Sequence, residues 1–444
     1  MLRRICVGTP SEARACAHAL LRRFAGGAYV DRVFDSLAAG LSRRDRALAM
    51  RIGFGAVQRA GTLDHLVELI AARPVARLDP VVHAALRAGL YELLYLSGAP
   101  DRAVVDDTVE IVKANHSHGA DLVNAVLRRA GREREQLLSG FCESTPEAAA
   151  IAHSHPLWLA RMWWRELGAQ RASALMAAGN EPSESSLRVN TLVSDAQTVA
   201  QELPAVPASG LLSRPLPEAL LLTEPLDLRA CPLWQAGAVI AQSRAAMLVS
   251  IVLDPQRGER VLDLCAAPGG KSSHIAALMG GSGRVLALER NAKRAAALQA
   301  TITRMRADHV TVVNGDALTF ESSERFHRVL LDAPCSGLGT LQAHPDLRWR
   351  MTPARIAALA QLQAALLHAA SRHVEAGGCL VYSTCTISTA ENEDQIASFL
   401  HSHPDFFPEP PPGMAPMFGG GRFLRTLPDR DRTAGFFIAR LRRV

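Results

Sequence analysis

Lysine is almost missing from this chain of 444 residues: only Lys113, Lys271 and Lys293 occur, against 46 arginines. A GC-rich coding sequence accounts for most of that bias. Its physical consequence holds either way, since guanidinium forks suit phosphates and stack on bases. Long apolar runs are also missing. No stretch approaches the roughly 18 uninterrupted apolar residues of a membrane span. There is no sustained glycine triplet or heptad period, which excludes collagen-like and coiled-coil architectures. Eight cysteines are present, but no C-x-x-C pair and no Cys/His cluster at zinc spacing. That argues against a metal site, and scattered cysteines in a long chain read as reduced rather than as a disulfide scaffold. The N-terminal Met1-Leu-Arg-Arg is arginine-rich, as in a transit peptide, yet lacks the apolar core of a secretory signal. A cytoplasmic location is expected.

What is present describes a globular protein. Apolar residues make up 48% and charged residues 21%, enough to bury sizeable cores and too apolar for wholesale disorder. Length alone suggests about two or three domains. The net charge of +6 is too mild to identify a nucleic-acid partner by itself.

The hydrophobic period changes along the chain. Residues 11–135 read as successive helices, with Val82, Leu86, Leu90, Leu93 and Leu94 at helical spacing. Ser11 is placed to cap the first helix. Gly61, Pro74, Pro80 and Gly98-Ala-Pro100 punctuate the series. Residues 1–143 are therefore expected to form an all-α domain. Residues 144–245 read as a mixed connecting segment, with a helical stretch carrying Trp158, Trp163 and Trp164 and a short strand at Ser186-Leu-Arg-Val-Asn-Thr-Leu192. Trp163 and Trp164 are expected in a core. From residue 246 the pattern becomes strand, helix, strand, helix. Strands are expected at 260–265, 284–289, 310–313, 328–331 and 379–382, and a long helix at 353–374. That alternation implies a doubly wound α/β sheet, Rossmann-like, which binds ligands at the carboxyl ends of its strands.

Chemistry-bearing residues gather at those strand ends. Asp263-Leu-Cys-Ala-Ala-Pro-Gly-Gly-Lys271 is a strand, a glycine turn and a helix start, where the backbone can approach a ligand and free N–H groups face it. It is neither G-x-G-x-x-G nor a Walker A loop, so a dinucleotide or nucleoside triphosphate is not indicated. Glu289 ends the next strand, where an acid accepts ribose hydroxyls, and Asp316 follows the third. Asp263, Glu289 and Asp316 together describe a pocket for an adenosine-containing ligand. Leu331-Asp-Ala-Pro-Cys-Ser-Gly-Leu-Gly339 follows the fourth strand, and Tyr382-Ser-Thr-Cys-Thr386 the fifth. If these two strands are neighbours, Cys335 and Cys385 face one cleft with Asp332, where nucleophiles belong. A disulfide between them is the plain alternative. Cys6, Cys16, Cys142, Cys231, Cys265 and Cys379 read as structural.

The Asp263–Lys271 motif, Asp332-Ala-Pro-Cys-Ser336 and Ser383-Thr-Cys385 resemble the motifs of the RNA cytosine-5 methyltransferases, the Nol1/Nop2/Sun family. The helical N-terminus resembles the NusB fold through Ser42-Arg-Arg-Asp-Arg-Ala47 and Val123-Asn-Ala-Val-Leu-Arg128. His153-Ser-His-Pro-Leu-Trp158 and Leu187-Arg-Val-Asn-Thr191 look like the family's connecting, RNA-facing segment. One departure stands out: where relatives often read Gln-Asp-x-Ala-Ser, this chain has Gln242-Ser-Arg-Ala-Ala246, so Ser243 replaces the acid.

The resemblance implies S-adenosyl-L-methionine as cofactor. Its site would comprise Cys265, Ala266, Ala267, Pro268, Gly269, Gly270, Lys271, Glu289, Asp316 and Asp332. It implies Cys385 as the nucleophile that adds to cytosine C6, and Cys335 as the helper in product release. Asp332 is the candidate for the cytosine edge, and Lys271 for stabilising the thiolate or contacting the target. The target base would have to be extruded, with Arg188, Asn190 and Leu347-Arg-Trp-Arg350 as RNA-facing candidates. The implied substrate is 16S ribosomal RNA and the expected state a monomer. The same chemistry on tRNA, or a non-catalytic RNA-binding assembly protein with a relict methyltransferase fold, are the alternatives.

Overall fold

A computed structural model describes residues 10–444, so the readings of the Met1 segment and of Cys6 lie outside the described residues. The described chain divides into two compact units. One comprises the chain up to Glu181 together with Ala343–Arg350; the other comprises Pro182–Gln342 and Met351–Val444.

The first unit is all helical. Its main core gathers apolar faces of the helices up to residue 139, including Leu20, Leu21, Ile52, Leu63, Leu66, Leu86 and Leu127, all at most 1% exposed. Asp79 caps Pro80–Tyr95 through its side chain, with proline in the first turn, where a missing N–H costs nothing. The first helix, Glu12–Ala25, begins at Ser11, but the Ser11 side chain makes no cap bond; its backbone N–H instead donates to Asp107. The helices Arg43–Gln58 and Ala60–Ala71 part at Arg59, two residues before Gly61, which sits in the first turn of the second. Trp163 is buried at 1%, the core role expected of it.

The second unit holds two sheets. The smaller contains β1 (Ser186–Val189), β2 (Ala205–Pro207), β3 (Ala219–Leu222) and β4 (Val239–Ala241) in the order β2-β3-β1-β4, every pair antiparallel. The larger contains β5 (Arg260–Asp263), β6 (Arg284–Glu289), β7 (Val310–Asn314), β8 (Phe326–Asp332), β9 (Val374–Thr384), β10 (Phe406–Pro408), β11 (Leu424–Thr426) and β12 (Phe436–Arg443). Its order is β10-β12-β9-β8-β5-β6-β7, with β11 on β12. Strands β5 to β9 are mutually parallel, as the alternating pattern predicts. Strand β12 adds antiparallel to β9 and carries β10 and β11, an extension the sequence reading did not anticipate.

Helices cover both faces of this sheet, so its strands are apolar at successive positions. Val285 and Ala287 pack into one core while Leu286 and Leu288 pack into the other. The chain winds from β5 outward to β7, then returns to lay β8 on the opposite side of β5. That reversal opens a crevice above the carboxyl ends of β5 and β8. Among the described residues no helix is long and apolar enough to cross a membrane.

Candidate active site

The crevice contains a cavity of about 450 Å³, within the range of small-molecule sites. Cys265, Ala267, Glu289, Asp316, Asp332, Cys335 and Cys385 line it, together with Arg290, Asn291 and Leu318, which the sequence reading had not singled out. A second cavity of about 210 Å³ lies beside it, bounded by Gln242, Ser243, Ala266, Pro268, Gly270 and Lys271; Cys265, Ala267 and Asp332 border both. Asp263 opens onto this smaller cavity and not onto the larger one with Glu289 and Asp316. It is fully buried, accepts from Ser272 Oγ at 2.7 Å, and burial pushes its carboxyl up to about 6. It therefore stands apart from Glu289 and Asp316, which line the larger cavity.

Gly269 shows why the turn after β5 needs glycine. Its φ is +103°, and an added Cβ would stand 2.8 Å from Leu298 Cδ1. The helix Gly270–Leu278 starts immediately after it. Glu289, 5% exposed, accepts from Asn291 N at 2.8 Å, with Arg294 at 3.3 Å. Asp316 accepts from Leu318 N at 3.0 Å. Both carboxylates are therefore held from behind at the rim of the larger cavity.

The two cysteines are brought together because β8 and β9 pair directly, with Asp332 opposite Ser383. Their sulfurs lie 3.4 Å apart and both thiols are free. Lys271 Nζ donates to Asp332 Oδ2 at 2.6 Å, and Ser383 Oγ donates to Asp332 Oδ1 at 2.7 Å. Burial opposes the Lys271 ammonium, but the adjacent Asp332 outweighs it and raises the pKa.

These surroundings separate the two thiols. The hydrogen bond from Cys335 draws the Cys385 thiol down, against burial and the Asp332 charge, with help from Lys271. The same bond, burial and the neighbouring negative groups hold Cys335 well above its ordinary value. The pair therefore favours a Cys385 thiolate that accepts from a Cys335 thiol. Burial pushes Cys265 up to about 12, so it lines the cavity as an inert thiol.

Three groups expected to face RNA are interior instead. Arg188 is fully buried and donates to Gln242 Oε1, Gly270 O and Ser273 Oγ. Asn190 is fully buried and donates to Gly237 O and Met305 O. Strand β1 is buried on both faces, and Arg188 ties the small sheet to the glycine turn through Gly270 O. Arg348 is fully buried within the helical unit, bonded to Ser154 O, Gly179 O and Asn180 Oδ1. Trp349 Nε1 donates to Val57 O, and Arg350 stacks on Tyr29 at 3.7 Å. Ser243 caps the helix Arg244–Leu253 by accepting from Ala246 N, a task an aspartate performs equally well. Among the cysteines read as structural, Cys16, Cys231 and Cys379 are buried, but Cys142 is exposed and within 3.0 Å of Ser144 Oγ.

Sequence reasoning missed the buried polar cluster behind the cysteines: Ser336, Gln363, Thr386, Glu391 and Asn392, each at most 3% exposed. The available signal was positional. Ser336 and Thr386 each follow a cysteine directly.

The chain matches known proteins along most of its length. Residues 250–442 match the family model described as 16S rRNA methyltransferase RsmB/F, and residues 11–132 match the NusB family. Residues 155–229 match the ferredoxin-like domain of the RsmF/B-like methyltransferases. A probable ribosomal RNA small subunit methyltransferase B of Synechocystis is 37% identical over 413 residues, covering 91% of this chain and 92% of that protein. A protein of the same description from Bacillus subtilis is 33% identical, covering 91% and 92%. The crystal structure of PH0851 superposes with a TM-score of 0.77 at 27% identity, covering 98% of this chain and 99% of that one.

Proposed function

Since this chain belongs to the RsmB/F family of 16S rRNA methyltransferases, we propose that it methylates carbon 5 of a cytosine in 16S ribosomal RNA through a covalent cysteine adduct. The observation that carries the reading is the cysteine pair: two free thiols 3.4 Å apart at the ends of adjacent parallel strands, beside an ion-paired lysine and aspartate.

The larger cavity suits S-adenosyl-L-methionine by the chemistry of its walls. Glu289 and Asp316 offer acceptors for ribose hydroxyls and an adenine edge, and Cys265, Ala267, Ala317 and Leu318 offer apolar surface. When bound, the cofactor supplies an electrophilic methyl group.

The chain's residues perform the rest. Cys385, as the thiolate, adds to C6 of the cytosine, and the displaced electron pair makes C5 nucleophilic. Asp332, held by Lys271 and Ser383, meets the cytosine edge near N3 and N4, where as the carboxylic acid it donates to N3 and so stabilises the negative charge that develops on addition. After methylation the C5 proton leaves to a base, the C5–C6 double bond re-forms, and Cys385 departs as thiolate. Cys335 assists that elimination. In the same reading residues 1–143 form the NusB-like appendage, 144–245 the connecting segment and 246–444 the catalytic domain.

The test is methyl transfer from labelled cofactor to unmodified 16S rRNA, with the product mapped. The expected result is one 5-methylcytosine, abolished by Cys385→Ala, with a stable protein–RNA adduct accumulating in Cys335→Ala. Transfer to tRNA but not to rRNA would overturn the substrate. Full activity of Cys385→Ala would overturn the mechanism.

A further inference from the structure

Glu391 is fully buried, and it pairs with no cation among the described residues. Its partners come from three separate elements. Oε1 accepts from Ser336 N at 2.8 Å and from Gln363 Nε2 at 3.1 Å; Oε2 meets Ser336 Oγ at 2.5 Å and Thr386 Oγ1 at 3.3 Å. The two hydroxyls also meet each other at 2.7 Å. A buried carboxylate is costly unless its bonds are complete, so a site that retains one needs what it holds.

What Glu391 holds is the backbone beside both cysteines. Ser336 follows Cys335 in the loop after β8, and Thr386 follows Cys385 in the loop after β9. Its own segment is strapped in place as well. Tyr382 OH donates to Glu391 O at 2.6 Å, Thr384 Oγ1 donates to Asn392 Oδ1 at 2.6 Å, and Asn392 Nδ2 donates to Thr386 O at 3.0 Å. Gln363, which also donates to Pro334 O, braces the Cys335 loop from the helix Pro353–Ser371.

We propose that Glu391 is a positioning residue, a buried carboxylate that clamps the two cysteine loops together and fixes the spacing and protonation order of Cys335 and Cys385. The proposal rests on the reading of these cysteines as nucleophile and helper. A shared carboxylate suits this task because one group with four acceptor directions can tie two loops at once, where an apolar contact would leave both free to slide. The charged and titratable groups facing the thiol pair are Lys271, Asp332, Tyr382 and Glu391. Of these, Lys271 favours the Cys385 thiolate, whereas the Glu391 charge opposes ionisation of Cys335.

The experiment compares the full-length protein with Glu391→Gln, an isosteric change that removes the charge and turns one acceptor into a donor. Steady-state methyl transfer should lose about 10–100-fold in kcat through misplacement of the cysteines. KM for cofactor and for rRNA should change less than about twofold. In a Cys385→Ser background, iodoacetamide labelling of Cys335 should begin at lower pH once Glu391→Gln is added, because a buried negative charge near the thiol is gone. A purely structural role would lower the melting temperature without moving that labelling profile, and an unmoved profile overturns the proposal. Should Glu391→Gln fail to fold, Ser336→Ala and Thr386→Val each cut one tie and leave the carboxylate in place. Wild-type kcat in both would equally overturn it. Retention of methyl transfer by Cys385→Ala would instead bring down the reading of the cysteines, and the Cys335 labelling profile would still decide whether Glu391 controls that thiol.

Discussion

Cys385 and Cys335 are the same residue in different surroundings. Cys385 has a hydrogen-bond donor in its partner thiol and a lysine near enough to draw its pKa down, while Cys335 has the partner's negative charge and Glu391. The lysine's part is measurable. Lys271→Met removes the cation, so the Cys385 pKa should rise. The acidic limb of the kcat/KM profile should then move to higher pH by about one unit, seen by assaying between pH 5 and 9. A limb that stays in place would mean that Cys335 alone activates the nucleophile. The residue scale is also where sequence was most informative. Asp332, Cys335 and Cys385 were legible because strand-end motifs bring their chemistry with them. Glu391 was not, since nothing in a linear sequence says that an acid six residues past one cysteine reaches the residue beside another.

At the scale of elements, the alternation of strand and helix accounts for a success, and a segment's resemblance for an error. The alternation from residue 246 implies parallel strands with helices on both faces, and two helical layers do cover β5, β6 and β8. The resemblance of its segment to an RNA-facing one points Arg188 outward, but β1 is covered on both faces and the guanidinium is interior. Arg348 failed for a related reason: a basic, aromatic segment looks like an RNA surface until its guanidinium is found bonded to carbonyls. That arrangement makes a prediction. Arg348→Met leaves Ser154 O, Gly179 O and Asn180 Oδ1 short of a buried donor. It should destabilise the helical unit by about 3 kcal/mol or more, read as a lower urea midpoint. A midpoint equal to wild type would show that water replaces the guanidinium at no cost.

Across the whole molecule, buried histidines tie stability to pH. His274 is 1% exposed, and burial, with Arg188 nearby, depresses its pKa to about 4 although Glu218 lies 3.2 Å away. The unfolded chain takes up a proton there below its ordinary value of 6.5, and the folded chain does not until about pH 4. The contribution of His274 is thus complete above pH 6.5 and is lost as pH falls toward 4, at about 1.4 kcal/mol per unit. Burial lowers His155 of the helical unit in the same direction. Denaturant melts at pH 7.5 and pH 5 should show the loss, and His274→Gln should flatten it for the catalytic unit. An unchanged slope in that variant would assign the dependence to other groups.

The sequence by itself determined the helices of residues 11–135, the parallel α/β alternation of β5 to β9, the glycine turn before Gly270 and the strand-end cysteines. Each follows from local periods, from backbone freedom at one residue, or from motifs contiguous in the chain. The tertiary structure alone decided that the cysteines meet at 3.4 Å, that Asp263 borders the smaller cavity instead of the larger one, that Arg188 and Arg348 are interior, and that Glu391 closes on both loops. Those outcomes depend on which strands become neighbours and on which polar groups lose their water, and both are set only when the sheets and helices pack.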